Sequence, residues 1–304
     1  VLAVGGPSLG AALVLRFFVG VCLAGVYPPA MKLVAGHVSE RARGLAMGVL
    51  VGAVTVLVKG PELDASVVLL SSSALAVLGC LLVAVFVVEG PYARPSAPFD
   101  PRQIGRVLRN RALLLANFGY CGHMWELYGM WTWVLVFLSS ALASEPTSTA
   151  QWLAFISIGV FGCIGAVLGG MFADRIGRTM TTMVAMLVSG ACCLATPWIY
   201  DTDLAIMAVF SAIWGVSIIA DSAQFSAAVT ELAHPDYVGT AIALQTGLGF
   251  LVTLAPIWTL PWLAETVGWR WVFVVLAPGP LLGTWAMARL REHRDAIKLA
   301  GGRR

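Results

Sequence analysis

The feature that most limits this chain is a succession of long apolar runs, each near the roughly 20 residues an α-helix needs to cross hydrocarbon. They occupy about residues 11–36, 44–59, 67–88, 113–142, 152–173, 180–200, 204–229, 240–263 and 271–287. Short stretches rich in Gly, Pro or charge separate them. Inside a bilayer every backbone N–H and C=O must be paired within its own segment, so such runs fold as helices. Composition agrees, with 59% hydrophobic and 12% charged residues and a mean hydropathy of +0.86. A soluble domain carries about 25% charged residues. The expected fold is an all-α membrane protein, a bundle of about nine complete transmembrane helices.

The basic residues are distributed unevenly. Counting alternate loops, one side receives Arg41 and Arg43, then Arg94, Arg102, Arg106, Arg109 and Arg111, then Arg175 and Arg178. Arg289, Arg291, Arg294, Lys298, Arg303 and Arg304 fall on that side too. The opposite loops hold little beyond Arg270, with Lys59 as an anchor at that interface. Positive loops stay inside, so the richer side, including the C-terminus, is expected in the cytoplasm. The net charge of +3 is small, and no basic surface suited to nucleic acid is present. The six cysteines (Cys22, Cys80, Cys121, Cys163, Cys192, Cys193) all lie in apolar runs, and their spacing suggests neither a metal site nor a disulfide framework. No signal peptide precedes Val1, and an incomplete chain is the expected reading.

One loop is more specific than the rest. Gly170-Met171-Phe172-Ala173-Asp174-Arg175-Ile176-Gly177-Arg178 joins two apolar runs through one acid, two bases and two glycines. Those charges belong at a membrane face, and the glycines allow a tight turn and close helix approach. The pattern G-x-x-x-D-R-x-G-R resembles the cytoplasmic loop motif of the major facilitator superfamily of secondary transporters. Two more features carry the resemblance. Arg16, Gly20 and Gly25 on the first run are similar to the family's arginine-plus-glycine pattern, and residues 89–111 match the long loop between its two halves. At one constant offset, Gly20 meets Gly215, Val21 meets Val216, Gly44 meets Gly239, Ala46 meets Ala241 and Gly52 meets Gly247. Such a parallel repeat is what two six-helix halves give. It places a first copy of the loop motif before Val1. The chain then reads as a transporter lacking its first two helices and most of its third: a partial N-terminal half at 1–88, a cytoplasmic linker at 89–111, and a C-terminal half with a cytoplasmic tail at 112–304. Within the linker, Asp100 and Pro101 can start a short helix with Ile104, Val107 and Leu108 toward the bilayer and Arg106 and Arg109 toward water.

Polar residues inside membrane spans are costly and tend to be functional. On the first run Arg16, Gly20, Tyr27 and Met31 share a face. Arg16 cannot shed its charge; it can hold a substrate carboxylate, pair with an internal acid, or snorkel to the interface. Pro28 and Pro29 should kink this run. Lys32, near its cytoplasmic end, can meet an anion or snorkel. The fourth run is the richest, with Gly119, His123, Glu126, Met130 and Trp133 on one face. Desolvation disfavours a carboxylate's charged form, which suits Glu126 to reversible protonation; His123, one turn away, can share that proton or simply tie helices together. Trp125, Tyr128, Trp131 and Trp133 offer a substrate box or plain packing. On the seventh run Trp214, Ser217, Asp221 and Gln224 share a face. Asp221 can couple protons, bind substrate or form a static pair. Gln245 and Thr246 can bond substrate or a neighbouring helix.

The resemblance implies that the first, fourth and seventh runs line a central cavity, and these runs hold the deep ionisable residues. The expectation is therefore a secondary active transporter, not an enzyme, moving a small anionic solute by alternating access with protons as coupling ion. Its substrate contacts are Arg16, Tyr27, Lys32, His123, Trp125, Tyr128, Gln224 and Gln245; its proton-coupling residues are Glu126, Asp221 and His123. Export of drug-like or cationic compounds by proton antiport stays open, as does a non-transporting membrane sensor. The protein is expected as a monomer in the bacterial inner membrane, with no cofactor, metal or nucleic-acid partner. The family's pattern implies a conformational latch of Gly170, Asp174, Arg175, Gly177, Arg178 and Glu231. In it Asp174 faces the start of the second run near Arg43 and Gly44, where a helix dipole favours an acid, and Arg178 reaches Glu231.

Overall fold

A computed structural model describes residues 9–24, 26–39, 42–56, 65–86, 88, 90–91 and 102–303, and these are mostly helical with no strand among them. The elements in order are α1 (Leu9–Ala24), α2 (Tyr27–His37), α3 (Arg43–Val56), α4 (Ala65–Phe86), α5 (Arg102–Arg109), α6 (Arg111–Ala141) and α7 (Thr147–Phe155). A π-helical turn, Ile156–Phe161, joins α7 to α8 (Gly162–Ile176). Then come α9 (Arg178–Ile199), α10 (Leu204–Ala220), α11 (Ser222–Leu232), α12 (Val238–Val267), α13 (Trp269–Val272) and α14 (Pro278–Glu292).

Local chemistry sets the element ends. Asn110 Oδ1 accepts from the N–H groups of Ala112 at 3.0 Å and Leu113 at 3.3 Å, starting α6. Asp203 does the same for Ile206 N at 3.0 Å, starting α10. These caps satisfy donors that the first helical turn leaves open. Gly177, at φ 97°, turns the chain between α8 and α9 in a conformation that excludes a side chain at little cost only for glycine. Pro28 and Pro29 occupy the first turn of α2, where a missing N–H costs nothing. The single kinked run expected over 11–36 is thus two helices, α1 and α2.

Five helices are long and apolar enough to cross a membrane among the described residues: Thr147–Ile176, Arg178–Ile199, Leu204–Leu232, Pro235–Val267 and Trp269–Glu292. These described residues do not confirm the expected count of about nine. The 31-residue α6 is not among the five; Asn117, His123, Glu126 and a cluster of Tyr and Trp dilute its apolar character. α3 ends at Val56, and 57–64 lie outside the described residues. The apolar side chains that remain exposed, such as Phe17, Phe86, Leu251, Trp258 and Trp262, suit a chain whose solvent is lipid.

The core of the bundle is made by backbones in close contact. A Cβ on Gly165 would come within 2.1 Å of the Val216 carbonyl oxygen, and one on Gly169 within 1.9 Å of that of Ala220. From the other side, a Cβ on Gly215 would lie 2.1 Å from the Ser157 carbonyl oxygen, and Ser157 Oγ donates to Ser211 O at 2.7 Å. α8 and the π turn are therefore seated directly on α10. The opposite flank of α8 is just as close to α3: a Cβ on Gly48 would fall 2.3 Å from the Ala166 carbonyl oxygen, and one on Gly170 2.5 Å from that of Gly44. Small residues at four-residue spacing permit this approach, because lipid supplies no hydrophobic force to hold helices together and close packing must.

Of the expected linker, 92–101 lie outside the described residues, including Asp100 and Pro101. Its described part is α5, which turns Gln103 and Val107 inward against α6 and α12 while Arg106, Leu108 and Arg109 are exposed. Val107 thus packs on protein rather than lying in lipid, and Thr240 Oγ1 donates to Gln103 Oε1 at 3.3 Å.

The α8–α10 contact yields a test with two signs. Gly169→Ala should destabilise the protein by about 1–3 kcal/mol, because its methyl meets a backbone carbonyl that cannot yield. Gly247→Ala, with open space around its Cβ position, should stabilise by about 1 kcal/mol through helix propensity. Thermal unfolding of the purified protein in detergent reads both, and shifts of the same sign would show that α8–α10 proximity is not what Gly169 secures.

Candidate functional site

Two polar clusters stand out among the described residues. The first gathers at the α8–α9 turn. Asp174, in the last turn of α8, accepts from Gly44 N at 3.0 Å on Oδ1 and from Leu45 N at 2.8 Å on Oδ2. Both donors are in the first turn of α3, whose dipole and unpaired N–H groups favour an anion there. Gly44 is the residue that lets the carboxylate in: a Cβ would fall 2.1 Å from Arg178 Nη1 and 2.6 Å from Asp174 Oδ1.

Arg178, the first residue of α9, is fully buried. Its Nη1 donates to Asp174 Oδ1 at 2.8 Å and to Gln224 Oε1 at 3.2 Å. Its Nη2 donates to Glu231 Oε1 at 2.9 Å, and Nε reaches Glu231 Oε2 at 3.4 Å. Arg43 Nη1 lies 3.8 Å from Glu231 Oε1. The C-terminal segment closes over the same charges. Ala300 N donates to Glu231 Oε2 at 2.9 Å, the Arg303 guanidinium donates to the Asp174 carbonyl, and Ala296, Leu299 and Ala300 are buried. Arg175 is exposed. Gly170 packs on Gly44 and Gly177 makes the turn. The contribution of the C-terminal segment was not read from the sequence, because tail residues as small as Ala300 act here through their backbone.

The second cluster lies along α6. Glu126 is 1% exposed and accepts from three neutral donors: Ser189 Oγ at 2.8 Å, Cys193 Sγ at 3.1 Å and Trp214 Nε1 at 3.1 Å. His123 does not share this site. Its Nδ1 sits 2.9 Å from Asp221 Oδ1, both side chains being 2% exposed. The pairing of His123 with Glu126 expected from their spacing is therefore replaced by a pairing with Asp221. Residues three apart on a helix diverge by about 60°, so Glu126 turns to α9 and α10 while His123 turns to the point where α10 gives way to α11. The His123 contact is close but poorly aligned, since Asp221 Oδ1 makes no hydrogen bond and neither does His123 Nε2.

The rings of Tyr120, His123 and Phe225 pack mutually, with centroids 5.5–6.1 Å apart. Gln245 Nε2 donates to Phe225 O at 3.4 Å, joining α12 to α11. Trp125 Nε1 donates to Val275 O at 3.3 Å and Trp133 Nε1 to Ile257 O at 3.0 Å, so both indoles pin α6 to neighbouring backbone. The Tyr128 ring packs at a tilt against Trp131, centroids 5.8 Å apart, and edge-on against Phe250 at 5.5 Å. Thus His123, Asp221 and Gln245 converge around Phe225, Gln224 joins the Arg178 cluster, and Trp125 and Tyr128 stand apart in packing contacts. Arg16, Tyr27 and Lys32 belong to α1 and α2, and their side chains lie outside the described residues, as does Lys59. Ser189 and Cys193 were missed in the sequence; small polar residues one turn apart in an apolar run were their only signal.

Similarity to known proteins accords with this architecture. Residues 1–257 match the Major Facilitator Superfamily. A 3-(3-hydroxy-phenyl)propionate transporter of Escherichia coli (strain K12) is 32% identical over 128 residues, which are 41% of this chain and 31% of that protein's length. The chain thus spans under a third of that relative in the alignment. Among solved structures, the human organic anion transporter MFSD10 superposes with a TM-score of 0.69 at 18% identity, over 86% of this chain and 67% of its own. The E. coli fucose:proton symporter gives 0.61 at 12% identity over 86% and 72%. A bacterial homologue of the iron transporter ferroportin, in an outward-facing state, gives 0.59 at 12% identity over 96% and 93%. With its family match covering most of the sequence and its helical fold shared with these transporters, this membrane protein belongs to the Major Facilitator Superfamily.

Proposed function

We propose that the protein is a secondary active transporter that moves a small organic anion by alternating access and couples that movement to protons. The observation that carries the proton half is the company Glu126 keeps. A buried acid with a structural role is ordinarily matched to a cation, whereas Glu126 is held by a hydroxyl, a thiol and an indole. Such a site accommodates the carboxyl with or without its proton. His123 and Asp221 form a second exchangeable pair within Coulombic reach of it. The anionic substrate is supported by the positions of Arg16 and Lys32 on α1 and α2 and by the E. coli relative, whose named substrate is a carboxylate. Arginine keeps its charge in any setting and binds carboxylates in bidentate fashion.

In this reading the Asp174–Arg178–Glu231 cluster is a latch on the cytoplasmic side. It ties α3 to α8, α9 and α11, and its strength biases one access state against the other. Breaking it releases α3, and with it the half of the protein to which α3 belongs.

Two experiments follow. In proteoliposomes containing the protein expressed from its complete reading frame, an imposed inward pH gradient should drive accumulation of aromatic carboxylates. Glu126→Gln and Asp221→Asn should each abolish that accumulation while leaving exchange of internal for external substrate. Unchanged proton-driven accumulation in both variants would show the coupling residues to be misassigned. For the latch, Asp174→Asn takes the charge from three bonds, those from Gly44 N, Leu45 N and Arg178 Nη1, and hydrogen bonds to charged groups are worth about 1.5–3 kcal/mol each. The ratio of closed to open cytoplasmic face should fall roughly tenfold or more, with substrate preference unchanged. Distances between spin labels at His37 and Arg175 report that ratio, and an altered preference without a change in distance would rule the latch out.

A further inference from the structure

α6 and α12 run side by side in the same direction. A Cβ on Gly249 would lie 2.3 Å from the Tyr120 ring and one on Gly129 3.2 Å from Pro256. Trp133 Nε1 donates to Ile257 O at 3.0 Å, so the pairings climb both helices together. The Tyr120–Gly249 contact sets the register. One turn toward the start of each helix stands an amide: Asn117, three residues before Tyr120, and Gln245, four before Gly249. At 1.5 Å per residue both lie about 4.5–6 Å from the level of that contact. Spacings of three and four keep each amide on the helix face that makes it.

Neither amide is satisfied. Asn117 is 4% exposed and Gln245 0%. Gln245 Nε2 is taken by Phe225 O at 3.4 Å. A carbonyl only accepts, so the other end of that amide is the acceptor Oε1, and it has no hydrogen-bond partner. Asn117 Nδ2 and Oδ1 have none either. One donor and two acceptors, each costly to leave unmade in a buried place, are thus open at one level of the α6–α12 seam. The rings of Tyr120 and Phe225 meet edge to face beside it, centroids 5.8 Å apart, and α2 packs on α11 and α12.

We propose that Asn117 and Gln245 form a specificity subsite for a neutral hydroxyl group carried by the transported solute. The inference rests on the reading that the solute is an organic anion, and it assigns the end remote from the carboxylate. A hydroxyl accepts and donates at once. Its oxygen takes the proton of Asn117 Nδ2 in a hydrogen bond, and its own proton goes to Gln245 Oε1. A carboxylate only accepts, and here it would face two carbonyl oxygens with nothing to offer them. An ammonium only donates and would leave Asn117 Nδ2 unmet. The carboxylate is left to the basic residues of α1 and α2. A site whose buried groups need a hydroxyl discriminates against the analogue that lacks it far better than an apolar pocket can.

The test is competition for substrate exchange in proteoliposomes containing the protein expressed from its complete reading frame. The competitors are phenylacetate and its hydroxy, methoxy and aminomethyl derivatives, in meta and para forms. The better hydroxy compound should compete roughly ten- to a hundredfold more strongly than phenylacetate. The methoxy compounds, which only accept, should stay near phenylacetate. Asn117→Leu and Gln245→Met should each bring the hydroxy compound down to the level of phenylacetate without weakening phenylacetate itself. A general loss of packing would weaken both. If neither variant folds, the competitor series on native protein decides alone. Equal competition by phenylacetate and both hydroxy compounds overturns the subsite and leaves the amides to water. A preference for an aminomethyl compound overturns it in favour of a cation site. Exchange with no carboxylate at all overturns the organic-anion reading, and this inference with it.

Discussion

A guanidinium that water does not reach has to be met by acceptors, because it has no neutral form to retreat to. Arg178 imposes that condition on the whole loop end of the bundle. It is fully buried at the start of α9, and the acceptors come from α8 through Asp174 and from α11 through Gln224 and Glu231. Asp174 in turn is shared with the first turn of α3. One side chain thereby fixes the mutual approach of four helices. Such clusters are poor sources of net stability, because desolvation consumes much of the Coulombic gain, yet removal of one member leaves a buried charge unmatched at a cost of about 3–5 kcal/mol.

The close approach is possible only because backbones meet there. Gly44 admits both Arg178 and Asp174, while Gly48 and Gly170 bring α3 and α8 within reach of each other's carbonyls. On its other flank α8 is fastened to α10 through Gly165 and Gly169. The two flanks differ in what they hold. The α10 flank is glycine against carbonyl, whereas the α3 flank ends in a carboxylate and a guanidinium.

Much of this was legible in the sequence for a specific reason. Charges between apolar runs are so costly in lipid that their positions nearly dictate the loops, and the G-x-x-x-D-R-x-G-R stretch carries both the charges and the glycines that let them pack. The contacts of Asp174 with Gly44 and of Arg178 with Glu231 were accessible through the repeat. The acid–base partners were not. Helical spacing gives the face on which His123 and Glu126 lie but not the helix that faces it, and a divergence of about 60° sufficed to send them to different neighbours. Ser189 and Cys193 were hidden because one hydroxyl and one thiol barely perturb an apolar pattern. The spans themselves were blurred where polar residues intrude: α6 is too polar to stand out as a membrane helix.

The chain stays close to helical through Asp221, φ −92° and ψ −19°, so the span Leu204–Leu232 carries Asp221, Gln224 and Glu231 on the same backbone that Gly165 and Gly169 of α8 clasp. A span seated that closely on its neighbour sets where its polar side chains can reach. The acid that meets His123 and the two acceptors of Arg178 are therefore positioned by one glycine-to-carbonyl contact, and a side chain introduced at Gly165 or Gly169 would disturb both clusters together.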